Sequence, residues 1–401
     1  MNGLIQTMKT HKLFYEDQYL REFDSVVVSV KQFKDSFRIV LKETAFYPEG
    51  GGQPGDTGFI NNTPVFDTTT IDDEIVHLCK NEIPVNTKVH CIIDWEKRFD
   101  LMQQHSGEHI FSGIACGMFN CNNVGFHLGS DCVTVDYDKY IDPENIINIE
   151  KQANDYIMQN HPCEIMVFDD ENETSGIEYR SKKEINGELR IVSFPGADTC
   201  ACCGTHVRSS SEIGLIKVIG TKKFHSGVRI DLLCGKRALN YLMTVCEQNT
   251  LISRELSSNY ADTFNSVFKL KTNINDYKKK ITELENELFD LIADKYYNKG
   301  VTVLFRETMD FSSLIHLCDR VFHSCKDSCV IFSGNDNDEK VKYVIRADDL
   351  YLSTIVSNLN LLLNGRGGGR DGLAQGSVSA NMHTIKAKSE NILTILRGAT
   401  L

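Results

Sequence analysis

The sequence predicts an α+β protein of several domains, and three observations carry that expectation. Short runs of β-branched and apolar residues dominate the first ninety residues and recur in the last hundred. Between them lie stretches with the three-and-four apolar spacing of helices. At 401 residues the chain has room for two to four domains, each with its own core. A hydrophobic share of 41% and a charged share of 24% set aside disordered and fibrous classes. No run of eighteen apolar residues occurs, so no membrane contact through a spanning helix is expected. Residues 1–9 lack the apolar stretch of a signal peptide. A cytoplasmic, reducing setting follows, in which the 14 cysteines are free thiols or metal ligands rather than a disulfide framework. The net charge of −12 excludes a general nucleic-acid coat but not a local basic face.

Residues 1–93 read as a β-rich domain. Residues 25–30 and 37–41 have strand length and pattern, and residues 87–93 look like the closing strand of a small barrel. Residues 46–58 hold five glycines and two prolines, which rules out a helix. Bare backbone at Gly51 and Gly52, followed by Gln53, can lie close against a ligand. A substrate-facing loop is the expectation; a long hairpin turn is the alternative.

Residues 94–235 read as α+β. Asp94 is placed to cap a helix that runs past Leu101 and Met102 to Phe111 or beyond. That helix carries His105 and His109, four apart and so on one face. Cys202 and His206 repeat the interval. Either pair alone is a weak signal, because paired histidines are common on packed and exposed helices. Together, flanked by glycines and small residues, they offer three nitrogens and a thiolate, a donor set suited to one tetrahedral zinc. Strands over 132–136, 213–219 and 227–233 and a helix over 143–159 complete this part.

Residues 236–298 change in texture. Val267, Leu270, Ile274, Tyr277, Ile281, Leu284, Leu288 and Leu291 form a heptad seam beside lysines and glutamates. Two accounts stay open: a helix packed on its own domain, or an arm that pairs two copies. Residues 299–401 return to an α/β pattern and end in Arg366, Gly367, Gly368, Gly369 and Arg370. Read as a glycine-rich loop, this stretch brings backbone amides and guanidinium forks to phosphate. A structural crossover is the alternative.

Four motifs, FYPEGGGQPGDTG, QQHSGEH, DTCACCGTH followed by EIG, and GGGRDGLAQGS, occur in this order. They resemble the long form of the free-standing alanyl-tRNA editing proteins, the AlaX group, which is similar to the editing and C-terminal regions of alanyl-tRNA synthetase. The resemblance covers nearly the whole chain. It implies a β-barrel over 1–93, a zinc-containing editing domain over 94–235, a helical coiled-coil arm over 236–298 and a DHH-associated α/β domain over 299–401. It further implies zinc on His105, His109, Cys202 and His206, and hydrolysis of the ester joining serine, and sometimes glycine, to tRNA(Ala). The terminal domain would grip the tRNA and the arm would support a homodimer. The aminoacylation module of the synthetase and the Asp-His-His signature of related phosphoesterases are missing, so phosphodiester cleavage is not expected.

Two departures stand out. The usual second motif reads Cys-Gly-Gly-Thr-His, and Cys203 replaces its first glycine, so either sulfur offers itself; the interval to His206 favours Cys202. Glu108 creates an H-x-x-E-H signature that also belongs to certain zinc peptidases, where the glutamate is general base. That reading needs a carboxylate as third ligand, where this chain offers Cys and His. An RNA-binding module with a structural zinc is the other rival. For the hydrolase, His105, His109 and Glu108 are the catalytic candidates. Gly51, Gly52, Gln53, Thr205 and His127 are assigned to substrate, His127 because the resemblance places a substrate-facing polar residue sixteen to eighteen positions after the second histidine.

Overall fold

The computed structural model describes residues 10–169, 174, 176–181, 189–335 and 337–398. The stretch 1–9 read for a leader lies outside them. The chain divides into two compact units, Met1–Leu251 and Ile252–Leu401.

In the first unit six antiparallel strands close into a ring in the order Glu22–Phe33, Ser36–Leu41, Glu74–Cys79, Thr63–Ile71, Gly58–Ile60 and Lys88–Ile93. Lys88–Ile93 pairs with Glu22–Phe33 on one side and Gly58–Ile60 on the other, which removes the free sheet edge. Strand alternation sends Val89, Cys91 and Ile93 inward, where they meet Val27, Ile39, Leu41 and Phe46. Residues 46–57 form a loop, as the glycines and prolines demand. Its tip is a tight turn in which the Gly50 and Gln53 amides each donate to the other's carbonyl, at 3.0 and 2.9 Å, with Gly51 and Gly52 at φ 57° and 82°.

The helix Trp95–Phe119 follows. Asp94 accepts from the Lys97 amide at 3.2 Å and caps it. Arg98 ties this helix to the ring: its guanidinium bonds both oxygens of Asp56 and donates to the Gln18 and Ala45 carbonyls, with both charged groups fully buried. Removing one partner of such a pair costs about 3–5 kcal/mol, because the other charge is left buried alone. Around the helix lie a four-stranded sheet (Ile216–Phe224, Gly227–Cys234, Val133–Tyr137, Asn123–Leu128), a three-stranded sheet (Glu164–Phe168, Leu189–Phe194, Asp198–Ala201) and the helix Pro143–Met158. Ile213 closes a short 3-10 turn, with Gly214 at φ 83°, so the strand expected from 213 begins at Ile216.

The second unit contains the helix Thr263–Asp294. Its last turns bury Phe289, Ile292 and Ala293 against Leu314, Leu317 and Val321 of the helix Phe311–Cys325. The seam from Val267 to Leu291 is exposed throughout; Leu284 is 51% exposed. A five-stranded sheet has the order Thr302–Arg306, Cys329–Ser333, Val341–Arg346, Leu373–Val378, Gly365–Arg370. The glycine-rich stretch expected as a loop is therefore an edge strand, paired antiparallel with Leu373–Val378. The reason lies beneath it. Gly365 and Gly367 face the helix Asp349–Leu363 and the Tyr343 ring, and a side chain at Gly367 or Gly369 would overlap neighbouring atoms. The turn falls instead at Asp371 and Gly372, with φ 55° and 72°, the Asp-Gly signature of a two-residue hairpin.

Candidate metal and active site

Two segments converge at the buried middle of the helix Trp95–Phe119. His105 and His109 come from this helix, Cys202 and His206 from the turn after the strand Asp198–Ala201. Cys202 Sγ is 3.4 Å from Nε2 of both His105 and His206, although 97 residues separate Cys202 from His105. One donor atom from each of the four residues lies within 4.8 Å of all the others, so the group could hold a metal ion. Gly204 permits this approach, because a Cβ there would collide with the His105 ring.

The far nitrogen of each imidazole is occupied. His105 Nδ1 lies 3.0 Å from Gln53 Oε1, and His206 Nδ1 lies 3.1 Å from Ser106 Oγ. His109 Nδ1 is 3.0 Å from Asp198 Oδ2, within ion-pair range although the N–H is aimed off the hydrogen-bond line. Asp198 is itself held by Arg180 through Nε at 2.6 Å and Nη2 at 2.9 Å. Acceptors on Nδ1 favour the tautomer that leaves Nε2 lone pairs facing Cys202, the outer support that metal-binding histidines require. Burial alone would raise the Cys202 thiol, but the His105 and His109 imidazoles outweigh it and hold the thiol well below its usual value. For His206, burial and then His105 act together to keep the ring neutral. Three imidazoles, which release any inward proton when a cation binds, and a thiolate are the donor chemistry of a zinc site.

Cys203 lies outside this group. It is exposed, with Sγ 3.8 Å from Tyr47 Oη on the side of the Gly50–Gln53 turn. Gln53 is fully buried: Oε1 also accepts from the Thr205 amide at 3.1 Å, and Nε2 donates to Thr205 Oγ1 at 2.8 Å. Gln53 and Thr205 thus brace His105, while Gly51 and Gly52 remain exposed at the turn.

The strand Asn123–Leu128 brings Phe126, not His127, to the group. The Phe126 ring stacks on His105 at 5.1 Å and 24°, and a Cβ on Gly52 would come within 2.7 Å of it. His127 is the next residue of a strand and points to the other face, where it is exposed. Glu108 is buried with Oε1 accepting from Ser112 Oγ and Asn123 Nδ2, both at 2.6 Å. Its carboxylate belongs to a polar cluster with Ser112, Asn123 and Tyr137 rather than to the four-residue group. In the second unit Arg366, Gly368 and Arg370 share the exposed face of the edge strand, and Gly367 and Gly369 the opposite one.

Ser106, Asp198, Arg180 and Arg190 are site residues that the sequence did not announce. Ser106 and Asp198 lie inside the two motifs, yet no spacing rule separates a supporting hydroxyl or carboxylate from any other. Arg190 Nη1 donates to the carbonyls of Cys202 at 2.8 Å and Gly204 at 2.9 Å, holding the turn that carries the sulfur.

Comparison with known proteins shows what the chain resembles. Residues 5–97 match a class II (A) tRNA synthetase model, residues 189–230 the threonyl and alanyl tRNA synthetase second additional domain, and residues 298–397 the DHHA1 domain. The chain is 28% identical to the alanyl-tRNA editing protein AlaX-L of Pyrococcus horikoshii, over 93% of this chain and 96% of that protein. It is 27% identical to the alanyl-tRNA editing protein Aarsd1-B of Xenopus laevis, over 90% of this chain and 89% of that protein. An alanine–tRNA ligase of Thermofilum pendens is 32% identical over 70% of this chain and 32% of its own length. With three family models along its length and likeness over nearly the whole of both chains, this protein is similar end to end to the alanyl-tRNA editing proteins of the long AlaX type.

Proposed function

We propose that this protein is a free-standing aminoacyl-tRNA deacylase that hydrolyses the ester of mischarged tRNA(Ala), with serine and then glycine as the amino acids removed. One observation carries the reading. Three imidazoles and one thiol, drawn from two distant segments, meet in a chain that parallels alanyl-tRNA editing proteins over 93% of its length.

His105, His109, Cys202 and His206 would hold one Zn²⁺ per chain. When bound, the ion supplies Lewis acidity to the ester carbonyl and acidifies water. Gln53, Ser106 and Asp198 keep the three imidazoles turned inward. Phe126 and the Gly51–Gly52 turn flank His105 and border the space we assign to the aminoacyl end. Serine exceeds alanine by one hydroxyl, and a site that bonds this hydroxyl rejects alanine by roughly 10⁴, because its buried polar groups would be left unpaired.

The four-part division at 93, 235 and 298 assigns hydrolysis to the first two parts and RNA contact to the last, through Arg366, Gly368 and Arg370. Exposed apolar residues from Val267 to Leu291 suit the pairing of two copies. None of the 14 cysteines is in a disulfide, which suits a cytoplasmic protein. No helix among the described residues is long and apolar enough to cross a membrane. The rival in which zinc is structural and the chain only binds RNA draws on the four protein ligands, since catalytic zinc keeps a position open. Amino-acid release from Ser-tRNA(Ala) and Ala-tRNA(Ala) separates the two. Release from the serine ester alone supports the deacylase; release from neither supports the rival; equal release from both removes the proofreading role.

A further inference from the structure

Residues 202–208 carry the sulfur and His206 yet form neither helix nor strand, so their amides have no ladder partners. His206 is buried, and its amide cannot turn to water instead. Four consecutive amides are met by side chains from other parts of the chain. Thr205 donates to Gln53 Oε1 at 3.1 Å, His206 to Gln18 Oε1, Val207 to Ser106 Oγ at 3.1 Å and Arg208 to Tyr19 Oη at 2.9 Å. Gln53 and Ser106 also reach imidazole nitrogens of the four-residue group. Gln18 and Tyr19 reach none, and no step of the hydrolysis uses them.

Both come from the segment between the short helix Leu13–Glu16 and the strand Glu22–Phe33, and that segment is itself anchored. The Gln18 carbonyl accepts from Arg98 Nη1 at 2.9 Å, so it rests on the buried Arg98–Asp56 pair. The Tyr19 hydroxyl donates to Glu212 while it accepts from the Arg208 amide. Its ring centroid lies 5.4 Å from that of Trp95 and 6.4 Å from that of Phe99, on the helix that bears His105 and His109. Arg208 Cζ lies 4.1 Å from the Tyr19 centroid, and its Nη2 donates to Asp17 Oδ1 at 3.0 Å. Three consecutive residues thus grip the His206 loop, and Tyr19 ties that loop to the helix of the other two histidines. Ligands held at their final spacing before a metal arrives bind it more tightly, because less ordering remains to be done.

We infer that Gln18 and Tyr19 are positioning residues of the metal site: they fix the His206 loop against the helix Trp95–Phe119 and so set metal affinity without supplying a ligand. This rests on the metal assignment within the deacylase reading, but its test needs no hydrolysis. Zinc affinity of the full chain is measured by chelator competition. Gln18→Leu orphans the His206 amide and weakens zinc binding by about 10-fold, the low end for loss of an outer support of a metal ligand. Tyr19→Phe, which keeps the ring and loses the hydroxyl, weakens it by a similar factor. Gln18→Glu, whose carboxylate still accepts from the amide, keeps the wild-type affinity. Gln32→Leu, at an exposed position of the strand Glu22–Phe33, keeps it too. Wild-type affinity in Gln18→Leu and Tyr19→Phe overturns the positioning role, and so does a loss in Gln18→Glu equal to that in Gln18→Leu. Should Gln18→Leu fail to fold, Tyr19→Phe decides. A wild type that binds no zinc sinks the metal assignment and the positioning role with it. Zinc binding that follows this pattern without amino-acid release from Ser-tRNA(Ala) removes the deacylase and leaves the positioning role standing.

Discussion

Two glycine-rich stretches of similar composition do opposite things in this molecule. Residues 46–57 form a loop whose tip needs left-handed backbone at Gly51 and Gly52. Residues 365–370 form a regular edge strand in which no glycine has positive φ. In the first, glycine serves conformation; in the second, it serves space, because the Tyr343 ring and the helix Asp349–Leu363 lie against alternate positions. Glycine count cannot separate the two cases. What separates them is what packs beneath.

That contrast can be broken by substitution. Gly369→Val places a side chain into the Leu373 backbone and should destabilise the second unit by about 3 kcal/mol, read by denaturant unfolding. The loop also leans on His77, which bonds Thr44 Oγ1 at 2.8 Å and meets the Phe46 ring. Burial pushes the His77 pKa down to about 4. The folded ring therefore holds neutral His77 where the unfolded chain, titrating near 6.5, binds a proton. Stability is full above pH 6.5 and falls as pH drops toward 4, by up to about 3 kcal/mol. His77→Gln should flatten that acid slope in the first unit's transition.

Gln53→Ala removes the acceptor from His105 and should weaken zinc affinity by about 10–100-fold, measured by chelator competition. Gly51→Ala forces a Cβ into left-handed backbone and should cost about 1–2 kcal/mol. Gly368→Val, at the one strand glycine with open space on its side, should change stability by no more than about 0.5 kcal/mol. Equal effects at Gly368 and Gly369 would remove the distinction between space and conformation.

The same contrast explains what was legible beforehand. Strand alternation, the Asp94 cap and the four-residue interval of each ligand pair are local patterns, and the sequence carries them openly. Three of the six ring strands, the long helix and the positions of His105, His109, Cys202 and His206 could be read from them. The choice of Phe126 over His127 could not, because a window set by resemblance is wider than the two-residue period that decides which face a side chain takes. Glu108 was legible as a motif and is tied instead to Ser112 and Asn123. Gln53 and Asp198 act across distances of 52 and 89 residues on the histidines they support, and such partners leave no trace in local spacing.

The central claim is that Cys202, with three histidines, holds one divalent ion on which hydrolysis depends, and that Cys203 does not. Zinc content and serine release from Ser-tRNA(Ala), measured together on wild type, Cys202→Ala and Cys203→Ala, test it most directly. We predict one zinc and serine release for wild type and Cys203→Ala, and neither for Cys202→Ala. A zinc-free wild type, or a Cys202→Ala protein that keeps both metal and activity, would contradict it.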